Sequence, residues 1–153
     1  MKNILIAHNS QNGNSKQLAE EFAKNYKDIF NVDIKRIEDI GQEDLNPELH
    51  ALILATRVEA FGTDRLMRSF LERIDSYRES PIPKIGVFFT HSMKWKNLFK
   101  KGLDKTIKKL NNFTNMYHEF LEVRLHGMRG PIREGQEEKI NNFIQNLKEY
   151  IEN

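Results

Sequence analysis

With 153 residues, 39% of them hydrophobic and 30% charged, the chain has the length and composition of one soluble globular domain, 1–153, rather than of two domains or a disordered segment. Cysteine is absent, which excludes disulfides, thiolate metal sites, thiol nucleophiles and cysteine-ligated iron–sulfur clusters. The net charge of +2 arises from bases spread among acids, so no nucleic-acid partner is expected; the densest basic stretch, 94–109, has the periodicity of a helix with a solvated outer face.

In chain order, a first strand is expected at Asn3–Ala7, followed by a polar turn and a helix over about Gly13–Lys27 with Leu18, Ala19, Phe22, Ala23 and Tyr26 on one stripe. A second strand, Asn31–Ile37, alternates; Asp39–Pro47 reads as a polar loop or irregular turn. A third strand, His50–Ala55, is apolar throughout its centre. The next helix starts at Thr63 or Asp64, with Thr63 as N-cap, and runs to Asp75 on a stripe of Leu66, Met67, Phe70, Leu71 and Ile74. Prolines 81 and 83 then break the chain before a fourth strand, Lys84–Thr90. A helix over Lys96–Asn111, a fifth, alternating strand at Glu119–Leu125 and a last helix over Gly135–Ile151 complete the pattern. No apolar run reaches the roughly 18 residues of a membrane span and no leader pattern is visible, so a cytoplasmic protein without a membrane partner is expected.

Strands alternating with helices imply a parallel sheet covered on both faces. Strands one, three and four read as continuous apolar runs, whereas two and five alternate, which places two and five at the edges. The doubly wound order with those edges is 2-1-3-4-5, a three-layer α/β sandwich whose switch point lies between strands one and three. Three loops converge on that carboxyl edge: His8–Ser15, Thr56–Gly62 and Thr90–Trp95.

The first loop offers small hydrogen-bonding side chains, Gly13 for close backbone approach, and the N-terminal amides of a helix, all suited to a phosphate monoester. A nucleoside-triphosphate loop would need a second glycine and a lysine where Asn14 stands. A dinucleotide fingerprint needs three glycines, a receiver domain an aspartate near Ala55 and Thr56, and a small phosphatase a cysteine. What remains is a loop for the phosphate of a mononucleotide.

SQNGNSKQLA resembles the flavin phosphate loop of flavodoxins, S/T-x-T-G-N-T followed by the same helix: Ser10, Gly13, Asn14 and Ser15 match, and Asn12 replaces the middle threonine. HALILATRVEAFG with LMRSFLERI resembles the second flavin loop and its helix, and KIGVFFTHS the fourth strand and third loop. The lack of a long insertion in strand five is similar to the short-chain members. The resemblance implies noncovalent FMN, with its phosphate at Ser10, Gln11, Asn12, Gly13, Asn14 and Ser15. It implies a ring between a second loop of Thr56, Arg57, Val58, Glu59, Phe61 and Gly62 and a third of Thr90, His91, Ser92 and Trp95. Members commonly carry S-P-x-Y or T-P-T-Y in the second loop; here Arg57 replaces the proline and Glu59 the aromatic, leaving Phe61 and Trp95 as the aromatic residues at hand. Members are also typically acidic, and a cation such as Arg57 beside the ring favours the reduced anion, so a less negative potential for the last electron is expected. Pairing of Arg57 with Glu59 at the surface is the alternative.

The histidines match no metal-ligand spacing, and no metal or catalytic residue is expected. His8 and His91 end strands beside the site; His50 and His118 flank strands; HGMRGP, 126–131, reads as turn chemistry, with Arg129 and Arg133 as candidates for docking an acidic partner. The expected function is an FMN-binding electron carrier between a reductase and an acceptor protein, as a monomer or weak dimer. An FMN-dependent reductase of a quinone or other small oxidant, acting by hydride transfer, is the enzyme alternative, and a flavin-free binding module the third.

Overall fold

Strands that are apolar on both faces must be covered twice, and the computed structural model, which describes residues 1–9, 13–59, 62–63, 65–92, 96–127 and 129–153, shows how. The elements are β1 (Lys2–His8), α1 (Asn14–Tyr26), β2 (Phe30–Arg36), β3 (Leu49–Glu59), β4 (Gly62–Thr63), α2 (Arg65–Tyr77), β5 (Lys84–His91), α3 (Lys96–Ile107), β6 (Met116–Arg124) and α4 (Glu137–Glu152). The long strands are parallel in the order β2-β1-β3-β5-β6, which is the expected 2-1-3-4-5 once the two-residue β4 is set aside.

Each helix stripe finds its own face of the sheet. Met67, Phe70, Leu71 and Ile74 of α2 and Phe99 and Leu103 of α3 pack on Leu5, Leu52, Leu54, Val87 and Phe89. On the opposite face Leu18, Phe22 and Tyr26 of α1 and Phe143, Ile144 and Leu147 of α4 pack on Ile4, Ile6, Ile53 and Phe88. Phe22 stacks on Phe88 with ring centroids 4.8 Å apart, and the buried Tyr26 hydroxyl donates to the Ile144 carbonyl at 2.7 Å, so its polar atom is met. Burial of each such side chain is worth roughly 1.5–3 kcal/mol. The close approach of α4 to β5 depends on Gly86, where a Cβ would stand 2.7 Å from Leu147 Cδ2.

Between β2 and β3 the polar stretch forms two short 3-10 turns, Ile37–Asp39 and Gln42–Leu45, which deliver Ile37, Ile40 and Leu45 to the core. The Asp44 carboxylate accepts from the Gly41 N–H at 2.9 Å and from Lys35 Nζ at 2.6 Å. Below the sheet, the Arg78 guanidinium donates to the carbonyls of Leu45, Asn46, Ser80 and Pro81, tying two connections together. No described helix is long and apolar enough to cross a membrane.

Several expected boundaries are corrected. β3 continues past Ala55 to Glu59 and the chain returns as β4, with Val58 opposite Thr63 and Glu59 opposite Gly62; backbone groups that run beyond the sheet need partners, and the returning chain supplies them. Thr63 therefore lies in a strand and is not the N-cap of α2, which begins at Arg65. Leu66 is 54% exposed instead of inward. α3 ends at Ile107, short of Asn111, and α4 begins at Glu137, two residues after Gly135. At the outer edge, the Gln136 side-chain amide accepts from the Arg124 N–H at 2.8 Å and donates to the Arg124 carbonyl at 2.9 Å.

Candidate functional site

The carboxyl ends of β1 and β3 lie side by side, and their ladder extends one residue beyond β1 through the Asn9 N–H to the Ala55 carbonyl at 3.3 Å. From there the chain enters α1 through Gly13, the N-cap, at φ 85° and ψ −6°. That left-handed conformation is the reason for glycine, since a Cβ there would meet nothing within 4 Å. Gly13 already accepts the first helical bond, from the Gln17 N–H at 2.9 Å, but has no side chain with which to cap the first-turn amides. The first turn of α1 also contains no acid. A turn of this kind presents N–H groups and the positive helix end to an anion.

Two side chains of the first turn are committed within the protein. The buried Ser15 hydroxyl donates to the Thr56 carbonyl at 3.4 Å, which joins the start of α1 to the end of β3. Asn14 Nδ2 donates to the Arg129 carbonyl at 3.2 Å, and Gly130, at φ +91°, comes so close that a Cβ would stand 2.6 Å from Asn14 Oδ1. The segment after β6 is thus a third wall beside α1. The tract HGMRGP reads as a turn in sequence, where its two glycines are the available signal of a close approach.

The residues expected as a second loop are largely strand. Thr56 is buried, with its hydroxyl 3.5 Å from the Arg57 carbonyl, and the half-buried Arg57 stands in register with Thr90 of β5. Thr90 and His91 likewise belong to β5, and Ser92 follows them half-buried. Thr56, Arg57 and Thr90 are thus brought together at one edge with Ser15.

His91 turns toward β6, where its Nε2 is hydrogen-bonded to Glu122. The other Glu122 oxygen accepts from Lys139 Nζ of α4 at 2.6 Å. Burial alone would raise the Glu122 carboxyl, but the hydrogen bonds and charges of Lys139 and His91 outweigh it and hold it down to about 2. Glu122 is consequently an ionised acceptor between α4 and the end of β5. Glu122 and Lys139 were not among the expected site residues; an acid on an edge strand reads as a solvated position. At the end of β1, His8 is buried, and burial followed by the charges of Arg36 and Lys16 lowers its pKa, favouring the neutral ring. Of the expected contacts, Ser10, Gln11, Asn12, Phe61 and Trp95 lie outside the described residues, and Val58, Glu59 and Gly62 are placed by backbone alone.

No protein-family model matches the chain, and no curated protein matches it in sequence. Solved structures do. The rubredoxin oxygen:oxidoreductase of Desulfovibrio gigas aligns with 99% of this chain at 15% identity and a TM-score of 0.75, the chain spanning 36% of that protein. An archaeal flavodoxin aligns over 99% of both chains at 10% identity and a TM-score of 0.74. A Fusobacterium nucleatum flavodoxin bound to flavin mononucleotide aligns over 99% of this chain and 95% of its own at 13% identity and a TM-score of 0.59. The fold is flavodoxin-like.

Proposed function

We propose that the chain binds FMN noncovalently at the carboxyl edge of β1, β3 and β5 and carries electrons between a reductase and an acceptor protein. The observation that carries this reading is the start of α1: a glycine-capped, acid-free first turn at the switch point of the sheet, with Ser15 drawing β3 against it. The donor set fits a phosphate monoester, which backbone amides and a helix end can compensate without a metal or lysine. A Fusobacterium nucleatum protein of the same fold is described with this nucleotide, which supports the choice of ligand.

The first-turn amides of α1, together with Ser10, Gln11, Asn12, Gly13 and Asn14, would hold the phosphate. Ser15 serves chiefly to fix the two strand ends relative to each other, since its proton is given to Thr56. Thr56, Arg57, Val58, Glu59, Phe61 and Gly62 would line one side of the ring, and Thr90, His91, Ser92 and Trp95 the other. The flavin, when bound, supplies reversible electron uptake. The protein binds it, orients it and sets the charge around it, with Arg57 as the cation nearest to hand on β3.

Purified protein is expected to be yellow and to release FMN on denaturation, and flavin-free protein to quench FMN fluorescence with one-to-one stoichiometry. A colourless protein that leaves added FMN unquenched would overturn the reading. Rapid NAD(P)H turnover with a quinone, without an added reductase, would replace the carrier by the enzyme alternative.

A further inference from the structure

The net charge of +2 conceals an uneven distribution between the two helix layers. On α3 and just beyond it, from 100 to 109, Lys100, Lys101, Lys105, Lys108 and Lys109 stand against Asp104 alone, and all of these lysines but Lys100 are exposed. α2 shares that face of the sheet, and its first turn carries exposed Arg65 and Arg68, with no acid within the turn. Glu72 one turn on, and the exposed Glu38, Asp39 and Glu43 of the 3-10 turns that pack on the same face, offset these two arginines, so the excess charge belongs to α3. On the opposite layer α4 has the other sign, opening with Glu137 and Glu138 and carrying Glu149 and Glu152 against Lys139 and Lys148, while α1 balances Lys16 and Lys24 against Glu20 and Glu21. α4 therefore follows the preference of a helix dipole for acids at its start, while α2 places cations there against it. A surface built against local preference has another use.

Leu66 lies between Arg65 and Arg68 and is 54% exposed, one of four large apolar side chains exposed among the described residues. It marks the carboxyl end of the basic layer, where α2 leaves the β3–β4 return. An apolar residue rimmed by charge is the usual anatomy of a transient protein interface.

We propose that the α2–α3 layer is the docking face for an acidic protein, an electron donor or acceptor, which seats an acidic rim on Lys101, Lys105, Lys108 and Arg68 and an apolar residue on Leu66. The partner's role in electron transfer rests on the carrier reading above; the docking itself does not. A lipid surface fits less well, because α3 turns its apolar residues, Phe99 and Leu103, into the core and has none exposed for insertion among its described residues. A nucleic acid fits less well because Asp104 interrupts the lysines and no exposed aromatic side chain is interleaved among them.

The test is a calorimetric titration of the purified protein, its flavin content recorded, with a small acidic iron–sulfur protein. Parallel arms use a basic haem carrier, a DNA duplex and vesicles containing anionic lipid. The acidic protein is expected to bind, at least tenfold more weakly to K101E/K105E and at least tenfold more weakly in about 0.3 M salt. E149K, on the opposite layer, should change the affinity less than twofold. Thermal melts of the variants exclude unfolding as the cause. The proposal is overturned if the acidic protein does not bind, if E149K weakens it as much as K101E/K105E, or if the duplex, the vesicles or the basic carrier binds more tightly. Colourless protein that still binds the acidic probe through these lysines would remove the carrier reading and leave the docking face standing.

Discussion

Gly130 lies against the Asn14 side chain, so that a Cβ on it would stand 2.6 Å from Oδ1 and 2.9 Å from Nδ2, at a φ of +91° that L residues rarely adopt. Gly130→Ala therefore meets two obstacles: the left-handed backbone, about 1–2 kcal/mol, and displacement of Asn14 from the Arg129 carbonyl, about 1 kcal/mol. For a chain of this length that corresponds to a melting point lower by roughly 4–12 °C. FMN affinity should fall with it, since Asn14 opens α1; melts and FMN titrations of the same variant read both effects.

Gly13 poses the backbone problem without the crowding, because φ is +85° and nothing lies within 4 Å of the place of a Cβ. Gly13→Ala is expected to lose about 1–2 kcal/mol, whereas Gly13→Asn, which tolerates that conformation, should recover about half or more. Urea midpoints rank the three proteins, and equal losses for Ala and Asn would mean that space, not conformation, selects glycine.

Gly86 differs from both, since its Cβ would strike Leu147 Cδ2 at 2.7 Å and Cδ1 at 2.8 Å between β5 and α4. Leu147 is fully buried, so the clash cannot be relieved into solvent. Gly86→Ala should cost about 1–3 kcal/mol as overpacking. The double variant with Leu147→Val should recover part of that loss, and a double-mutant cycle by denaturant unfolding measures the coupling.

Glu122 makes stability depend on acidity. Its folded pKa, about 2, lies below the ordinary value of 4.5, so its stabilising contribution is complete above about pH 4.5 and is lost as pH falls through about 2. Glu122→Gln should accordingly destabilise the protein by about 1–3 kcal/mol at neutral pH and by progressively less in acid, the two unfolding curves converging near pH 2. A difference that stays constant across this window would show that the carboxylate charge is not what His91 and Lys139 require.

Arg57, in register with Thr90 at the proposed ring site, should favour the reduced flavin. Arg57→Gln is expected to make the potential of the second electron more negative and to leave FMN affinity within about threefold, less than 1 kcal/mol. Potentiometric titration decides; an unchanged potential would mean that the guanidinium is turned away from the ring.

The sheet order was legible because burial on two faces writes continuous apolar runs into β1, β3 and β5 and denies them to the edges. The Gly13 turn was legible because one glycine between a strand pattern and a helix pattern has few other uses. Leu66 misled because it fits the spacing of the buried stripe, yet it sits about a quarter-turn from the centre of Met67, Phe70, Leu71 and Ile74 and in the first turn, above the end of the sheet. The extension of β3 through Arg57 was illegible for another reason: Val58 and Glu59 are held by Gly62 and Thr63, a pair too short to carry a pattern. Contacts such as Asn14 with Arg129, 115 residues apart, leave no local trace at all. The ionised Glu122 was hidden likewise, since its partners come from β5 and α4.

The Gln136 amide takes both outer ladder positions of Arg124, sharing the carbonyl with the Arg133 N–H, and so acts as one further residue of sheet that belongs to no strand. A strand from another copy approaching β6 at its carboxyl end finds a side chain already in its place. The protein thus guards against edge-to-edge aggregation at this point with a glutamine side chain and with the returning chain at 131–133, which bridges Ile132 to Leu125.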